Sequence, residues 1–487
     1  MTRRSLLAAA LVAGTMLSGP ALAAGPDAAA ADAMVKTLTG WLPEKVKATN
    51  FLMVVPEGDH YRFTVDFGKL VQGFKPEKGK LEVSGIYDVN VSPPGPDGLM
   101  AVNREAAPMN FSGNWDIDKV KGSFAYLLKD VVFSGQFDPE LRYFRSAMMH
   151  SSGGTLQSDD GKAQIQANFG PYDATMSGAK NAAGGVDAAS TATIAGFTET
   201  VRGPDMPPVT LAAANLGVDA KLTGLRVEPI SKLIAYGLEH FKEGVKPTPD
   251  EKRAVAALVK EAMPLMTALT EEIKVDGLSV NANGVGAKLG SLTYRFGFGG
   301  FTDDSEVHFA FSAENPDITG VPQMISYGNL VPKSVNLNLS VGGLNFASVI
   351  NAFIDQANYE SDEPLTKAQM DAIGKLFLKS GRVNIDVPEF AATSAFYNIS
   401  VKGRFSTDVQ AQPVKANAEF DVTAKDIDTT IKGIQELAKT VPDLNTASFG
   451  LMMAKGLAKN DPDGSSHWKV EVDDAGVVKV NGQVMPH

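Results

Sequence analysis

The stretch Val335–Ile354, VNLNLSVGGLNFASVINAFI, decides the fold class. Its first part alternates. Val335, Leu337, Leu339 and Val341 are apolar, while Asn336, Asn338 and Ser340 are polar. A period of two is the mark of a strand with one buried face. After Leu344 the period changes. Phe346, Val349, Ile350, Phe353 and Ile354 fall on one stripe of a helix. A strand that feeds directly into an amphipathic helix predicts an α+β protein.

The same step occurs on either side of this stretch. Leu216–Ala220 continues through Leu222-Thr223-Gly224-Leu225 into a helix with Ile230, Leu233, Ile234, Leu238 and Phe241 on one face. Ala418–Val422 continues through Ala424-Lys425-Asp426-Ile427 into a helix carrying Ile427, Ile431, Ile434 and Ala438. A second helix follows each time. Thr248-Pro249-Asp250-Glu251 and Thr366-Lys367-Ala368-Gln369 are capping boxes, and Asn445 is the expected cap of the third. The second helices carry Val255, Leu258 and Val259, then Met370, Ile373 and Phe377, then Phe449, Met452 and Met453. Strands follow at Ile273–Asp276, Val383–Asp386 and Trp468–Val472. The expected architecture is a repeated strand–helix–helix–strand–strand unit, with copies near residues 213–299, 335–408 and 416–484. An aromatic hairpin, Tyr294, Phe296 and Phe298 against Val307, Phe309 and Phe311, separates the first two copies.

The first half reads as an antiparallel meander. Tyr61, Phe63, Val65 and Phe67 alternate with Arg62, Thr64 and Asp66, and Met109, Phe111, Trp115 and Ile117 continue the pattern. Pro93–Gly98 and Asn181–Gly185 are turn clusters. Met34–Lys47 is an expected helix limited by Pro43, after an Ala-rich segment, 24–33, expected to fray. The expected division is a signal peptide at 1–23, a mainly antiparallel β domain at 24–208 and a repeated α+β domain at 209–487. Arg202–Pro208 supplies the boundary. The fold class is therefore α+β and β-rich.

Arg3 and Arg4, the apolar run Leu6–Leu17, Pro20 and Ala21-Leu22-Ala23 read as an export signal cleaved after Ala23. Twin-arginine and general export both suit it. The expected location is the periplasm of a bacterial envelope. No later apolar run has the length of a membrane-spanning helix. The chain has no cysteine, which excludes disulfides, thiol metal ligands and thiol nucleophiles. Its net charge of −11 argues against nucleic acid as a partner.

The export signal, the strand–helix–helix–strand layout and the ending Trp468–Val472…Val478-Lys479-Val480-Asn481-Gly482 resemble the YdgA-like family of uncharacterised envelope proteins of Gram-negative bacteria. The likeness is one of layout over the second half. It implies an envelope location and carries no functional residues. Members typically keep an N-terminal membrane anchor, whereas Ala21-Leu22-Ala23 reads as a cleavage site.

Motifs of chemistry are weak. His60, His150, His240, His308, His467 and His487 lack metal-helix spacing. Gly284-Val285-Gly286-Ala287-Lys288-Leu289-Gly290 departs from a dinucleotide loop and reads as a turn. Asp461-Pro462-Asp463-Gly464 departs from a calcium loop. Asp159-Asp160, Asp303-Asp304 and Asp473-Asp474 lie in turn contexts. No catalytic, cofactor-binding or metal-binding residue is nominated. The leading expectation is a non-enzymatic envelope protein whose sheet and helices cradle an apolar or lipid-like ligand or an envelope partner, with Met263, Met266, Met370, Met452 and Met453 supplying adaptable surface. The rivals are an outer-membrane β-barrel and a hydrolase with a composite active site.

Overall fold

Alternating segments of this length form strands wherever one face finds apolar partners, and long antiparallel strands dominate the chain. The computed structural model describes residues 26–40, 42–73, 79–117, 120–241, 245–321, 328–408, 411 and 414–485. The export signal expected at residues 1–23 lies outside the described residues. The chain divides into two units. One runs to Leu269 and includes Ala357–Pro364; the other comprises Thr270–Gln356 and the chain from Leu365.

The first unit opens with helices α1 (Ala28–Thr39) and α2 (Glu44–Lys47). The hairpin β1 (Leu52–Glu57) and β2 (His60–Asp66) follows, then α3 (Phe67–Gly73). Next come β3 (Lys80–Ser84), β4 (Ile86–Val91), β5 (Met100–Ile117), β6 (Val120–Asp138), β7 (Tyr143–Ser151) and β8 (Gly153–Asp159). Then β9 (Gln164–Phe169), β10 (Tyr172–Lys180), β11 (Val186–Arg202) and β12 (Val209–Leu225) complete the sheet. Pairing is antiparallel and mostly sequential. β1 pairs β2, β2 pairs β4, and β3 and β4 share β5. β5 pairs β6, which pairs both β7 and β8. β7 pairs β10 and β8 pairs β9, both of which pair β11, and β11 pairs β12. Residues 203–208 are the turn between β11 and β12, while the two units divide between Leu269 and Thr270.

Three expectations about this half need correction. The Ala-rich segment is helical from Ala28, and Ala30 and Ala31 are buried. Asp27 caps that helix through Ala30 N, at 2.7 Å, which suppresses fraying. Met34–Lys47 is two helices, because Pro43 precedes a new start at Glu44. Phe67 opens α3 instead of ending a strand, and its ring packs edge-on against Phe111 at 4.9 Å.

Irregularities cross the sheet in a row. In β5 the apolar residues sit at even positions up to Val102 and at odd positions from Met109, with register shifts between Arg104 and Met109. The parity of the apolar residues changes likewise across Asp130 in β6, Ser152 between β7 and β8, Gly170-Pro171 between β9 and β10, and Gly196 in β11, and these points face one another on neighbouring strands. Each change keeps the apolar set on one side of a bending sheet. Buried Arg104 occupies this line. Its Nη1 donates to Ala107 O at 2.9 Å and Val131 O at 2.8 Å, and Nη2 donates to Pro108 O at 3.3 Å. The guanidinium also lies 5.3 Å from the Tyr87 ring centre. It satisfies carbonyls that the bulge removes from the ladder.

The core of this unit lies on one side of that line. Met34, Leu38 and Val46 from the first two helices bury against Tyr61, Phe63, Val91, Val102 and Phe137. After β12 come α4 (Val227–His240) and α5 (Pro249–Ala262). Thr248 and Glu251 form the expected capping box. Ala357–Pro364 rests against α5 through Arg253–Glu360 at 2.6 Å and Lys252 Nζ donating to Ser361 O at 3.0 Å.

The second unit begins with β13 (Ala268–Ala282), β14 (Val285–Phe298), β15 (Ser305–Glu314) and β16 (Asp317–Thr319). Then come β17 (Ser334–Leu344), α6 (Phe346–Gln356), α7 (Lys367–Leu376), β18 (Arg382–Thr393) and β19 (Asn398–Asp408). β20 (Lys415–Lys425), α8 (Ile427–Ala438) and α9 (Leu444–Leu457) follow. The chain closes with β21 (Lys459–Asn460), β22 (Ser466–Val472), β23 (Val478–Val480) and β24 (Gln483–Val484). The order of pairing is β14, β15, β17, β18, β19, β20, β22, β23, β24, all antiparallel. The aromatic hairpin forms as expected, with Tyr294 opposite Phe311 and Phe296 opposite Phe309. The Thr366–Gln369 box forms too. The third cap differs. α9 begins after Asp443 without a side-chain cap, and Asn445 Nδ2 donates to Pro442 O at 2.9 Å.

Arg104 supplies the first test. Arg104→Met keeps the bulk and removes every donor, leaving buried carbonyls without partners. It is expected to cost about 3 kcal/mol of stability, read from the denaturant midpoint. A shift under about 0.5 kcal/mol would show that the bulge does not need the guanidinium.

Candidate apolar binding face

In antiparallel pairs, opposed residues point to the same face. The registers of the second unit therefore draw rows of side chains straight across its strands. One row runs Tyr294, Phe311, Leu337, Phe390, Val401, Val422, Trp468. Another runs Phe298, Val307, Val341, Ile385, Phe405, Ala418, Val472, Val478. The opposite face carries rows such as Thr293, Ser312, Asn336, Ala391, Ser400, Thr423, His467.

Strand β18 shows how the rows stay aligned. Val383, Ile385 and Val387 are odd, and Phe390 and Ala392 are even. The register shifts between Val387 and Phe390, around Pro388. Proline has no N–H to give a ladder, so it belongs at a bulge. The extra residue returns Phe390 to the face that Val387 occupies.

This face is rich in large apolar groups yet only partly covered. In the two rows only Trp468 is buried, and the other members are half-buried. The helices account for the covered parts. Ile427 and Ile431 of α8 pack with Leu451 and Leu457 of α9 against Val422, Trp468, Val470 and Val480. Trp468 Nε1 donates to Ala454 O at 2.7 Å, which fixes α9 to the strand. At the other end Phe346, the first residue of α6, meets the rings of Phe298 at 5.4 Å and Phe377 at 5.2 Å, both edge-on. Along α6 itself no residue is buried, and Phe353 is exposed. The same holds for α4 in the first unit, where Phe241 is exposed although Leu238 reaches the core. Of the methionines singled out from sequence, Met370, Met452 and Met453 are exposed, and Met263 and Met266 are half-buried.

The first unit carries a smaller face of the same kind. Beyond the row of bulges, Phe111, Phe124, Tyr126, Leu156 and Phe169 share one side of β5, β6, β8 and β9, and all are half-buried. Burial pushes the Tyr126 hydroxyl up from its usual range, so the group stays neutral throughout the physiological window. The aromatic rings lie over cross-strand glycines. A Cβ at Gly122 would sit 2.1 Å from the Trp115 ring, and one at Gly154 would sit 2.5 Å from the Phe169 ring.

The polar residues singled out from sequence lie in turns, caps and surface pairs. Asp160 caps Lys162 N and Ala163 N. Asp303 accepts from Ser348 Oγ, and Asp304 pairs with Lys379. Asp473 accepts from Ala475 N and Val477 N, while Asp474 pairs with Arg382. Asp463 accepts from Ser465 N and Oγ inside its turn. Asn283 and Gly284, both with positive φ, form the turn between β13 and β14. His150 pairs with Asp173, His467 with Asp421, and His240 stacks on Tyr236. Among the described residues no group of three or more His, Asp or Glu stands where it could hold a metal ion. On the polar face Lys469 lies 2.7 Å from Glu419 and 3.2 Å from Glu471, and these carboxylates push it up to about 12. The raised value means that its stabilising contribution is complete below its ordinary value of 10.5 and fades only as pH rises through about 12.

No helix of the described residues is long and apolar enough to cross a membrane. The chain matches no family model, no curated protein and no solved structure.

The rows predict a one-sided response to charge. Leu337→Lys places an ammonium inside a row, and Ser400→Lys places one on the opposite face. Binding of an apolar fluorescent probe is expected to fall at least tenfold, or about 1.4 kcal/mol, in the first variant and to be unchanged in the second. Equal losses in both, with native circular dichroism, would contradict the assignment of the face.

Proposed function

We propose that this chain is an exported periplasmic protein that holds an apolar, lipid-like ligand against its sheet without chemical turnover. The observation that carries this reading is the pair of apolar rows from β14 to β22 and β23, left half-buried in a unit whose helices cover only their ends. Burying one such side chain fully is worth roughly 1.5–3 kcal/mol, so leaving many of them part-wet has a cost that a bound hydrocarbon removes. A partly buried apolar face that crosses so many strands supports a binding role. The exposed Phe353, Met370, Phe449 and Met453 on the helices favour, as a second reading, an apolar envelope partner.

Two further readings belong to the proposal. The strand–helix–helix–strand order after β12, β17 and β20, with capping boxes opening α5 and α7, supports three copies of one ancestral unit. The layout likeness to the YdgA-like family suits the same envelope role.

The test is extraction of protein purified from the periplasm without detergent, followed by mass spectrometry. Acyl-bearing species should co-purify in near-stoichiometric amount and be depleted in Leu337→Lys. Protein free of such species, and unable to take them up from vesicles, would sink the proposal.

A further inference from the structure

The helix pair α6 and α7 is held at two places, and the two holds differ in kind. Its base is fixed to the ends of β17 and α7. Asn345 N donates to Phe377 O at 2.8 Å, Lys379 N donates to Gly343 O at 3.0 Å, and the Phe346 and Phe377 rings meet edge-on at 5.2 Å. Away from the base the apolar hold is thin. Between Phe346 and Phe377 only Leu365 and Ile373 are buried. The tip is the loop Ala357–Pro364, which belongs by its contacts to the first unit. None of the loop's side chains is buried.

The loop is a preformed acidic body. Asn358 N donates to Pro364 O at 2.7 Å and closes it. Asn358 Oδ1 accepts from Glu360 N, and Ser361 Oγ accepts from Glu363 N, both at 3.1 Å. It carries Glu360, Asp362 and Glu363 and no basic residue. Its partners are the cations of α5 and of the segment before it. Arg253 meets Glu360 at 2.6 Å, Lys246 meets Asp362 at 2.6 Å, and Lys252 Nζ donates to Ser361 O at 3.0 Å. Asp250, 2.6 Å from Arg253, steadies that guanidinium. We infer, whatever the apolar face binds, that α6 and α7 form a flap, hinged at its base and latched at its tip by this ionic contact, and that salt opens the latch. Both ion pairs are exposed. Exposed pairs each contribute little and are screened by salt, so a dock built from a few of them sits near balance. The loop's internal hydrogen bonds survive its release, which keeps the ordering cost of redocking small.

The chain has no cysteine, so Ala257→Cys on α5 and Ala357→Cys in the loop give a unique pair of spin labels on the full chain. Their distance distribution is measured at about 10 mM and about 1 M sodium chloride, where the screening length is about 30 Å and about 3 Å. One docked population is expected at low salt, and the undocked fraction should rise at least about fivefold at high salt. Arg253→Glu should undock the loop at low salt, and adding Glu360→Arg should dock it again by exchanging the two charges. The same distribution at both salt concentrations overturns the latch. So does an Arg253→Glu loop that stays docked, or one that the exchange of charges does not restore. Circular dichroism separates undocking from unfolding, and the salt series on the parent chain decides the matter if a variant fails to fold.

Discussion

The architecture depends on one constraint of strand geometry. Side chains alternate, so a long strand can keep one apolar face only if its sequence never loses step. Several strands here do lose step, and each does so at a bulge or break. Pro388 in β18, Gly170-Pro171 between β9 and β10, and Gly196 in β11 stand at such points. The added residue restores the face while bending the strand. Without these slips, Phe390 and Ala392 would point to the polar side, and the rows would end at β17. Arg104 serves the same constraint by bonding the carbonyls that the bulge in β5 and β6 leaves free.

An aligned apolar face this long must be covered or used. In the first unit, α1, α2 and α3 cover one part, and there Val46, Phe51 and Tyr61 are fully buried. In the second unit the helices leave more open. α8 and α9 seal the β20–β22 end through Ile427, Ile431 and Trp468, and Phe346 anchors α6 at the opposite end. Between these anchors Leu337, Phe390 and Val401 keep access to solvent.

Much of this was legible locally. The capping boxes at Thr248 and Thr366, the aromatic hairpin from Tyr294 to Phe311 and the change of period at Leu344 each depend on neighbours a few residues away, and each appears as read. The N-terminal helix is not legible locally, because an alanine run looks unstructured until Asp27 caps it and the core buries Ala30 and Ala31. Phe67 continues the strand alternation in sequence yet opens a helix, because its apolar character fits either period. The open face was not legible. Phe346 and Phe353 share one helical stripe, yet one meets three aromatic rings and the other faces solvent. That difference is set by distant elements and leaves no trace in spacing.

The chain has no cysteine, so an introduced one is a unique chemical reporter. Val401→Cys places a thiol in the row from Tyr294 to Trp468, and Lys402→Cys places one on the opposite face of the same strand. The direct measurement is the rate of thiol modification with and without a dioleoyl lipid. The account predicts slow modification at position 401 when lipid is present, faster modification when it is removed, and no change at position 402. Equal rates at position 401 with and without lipid would contradict it.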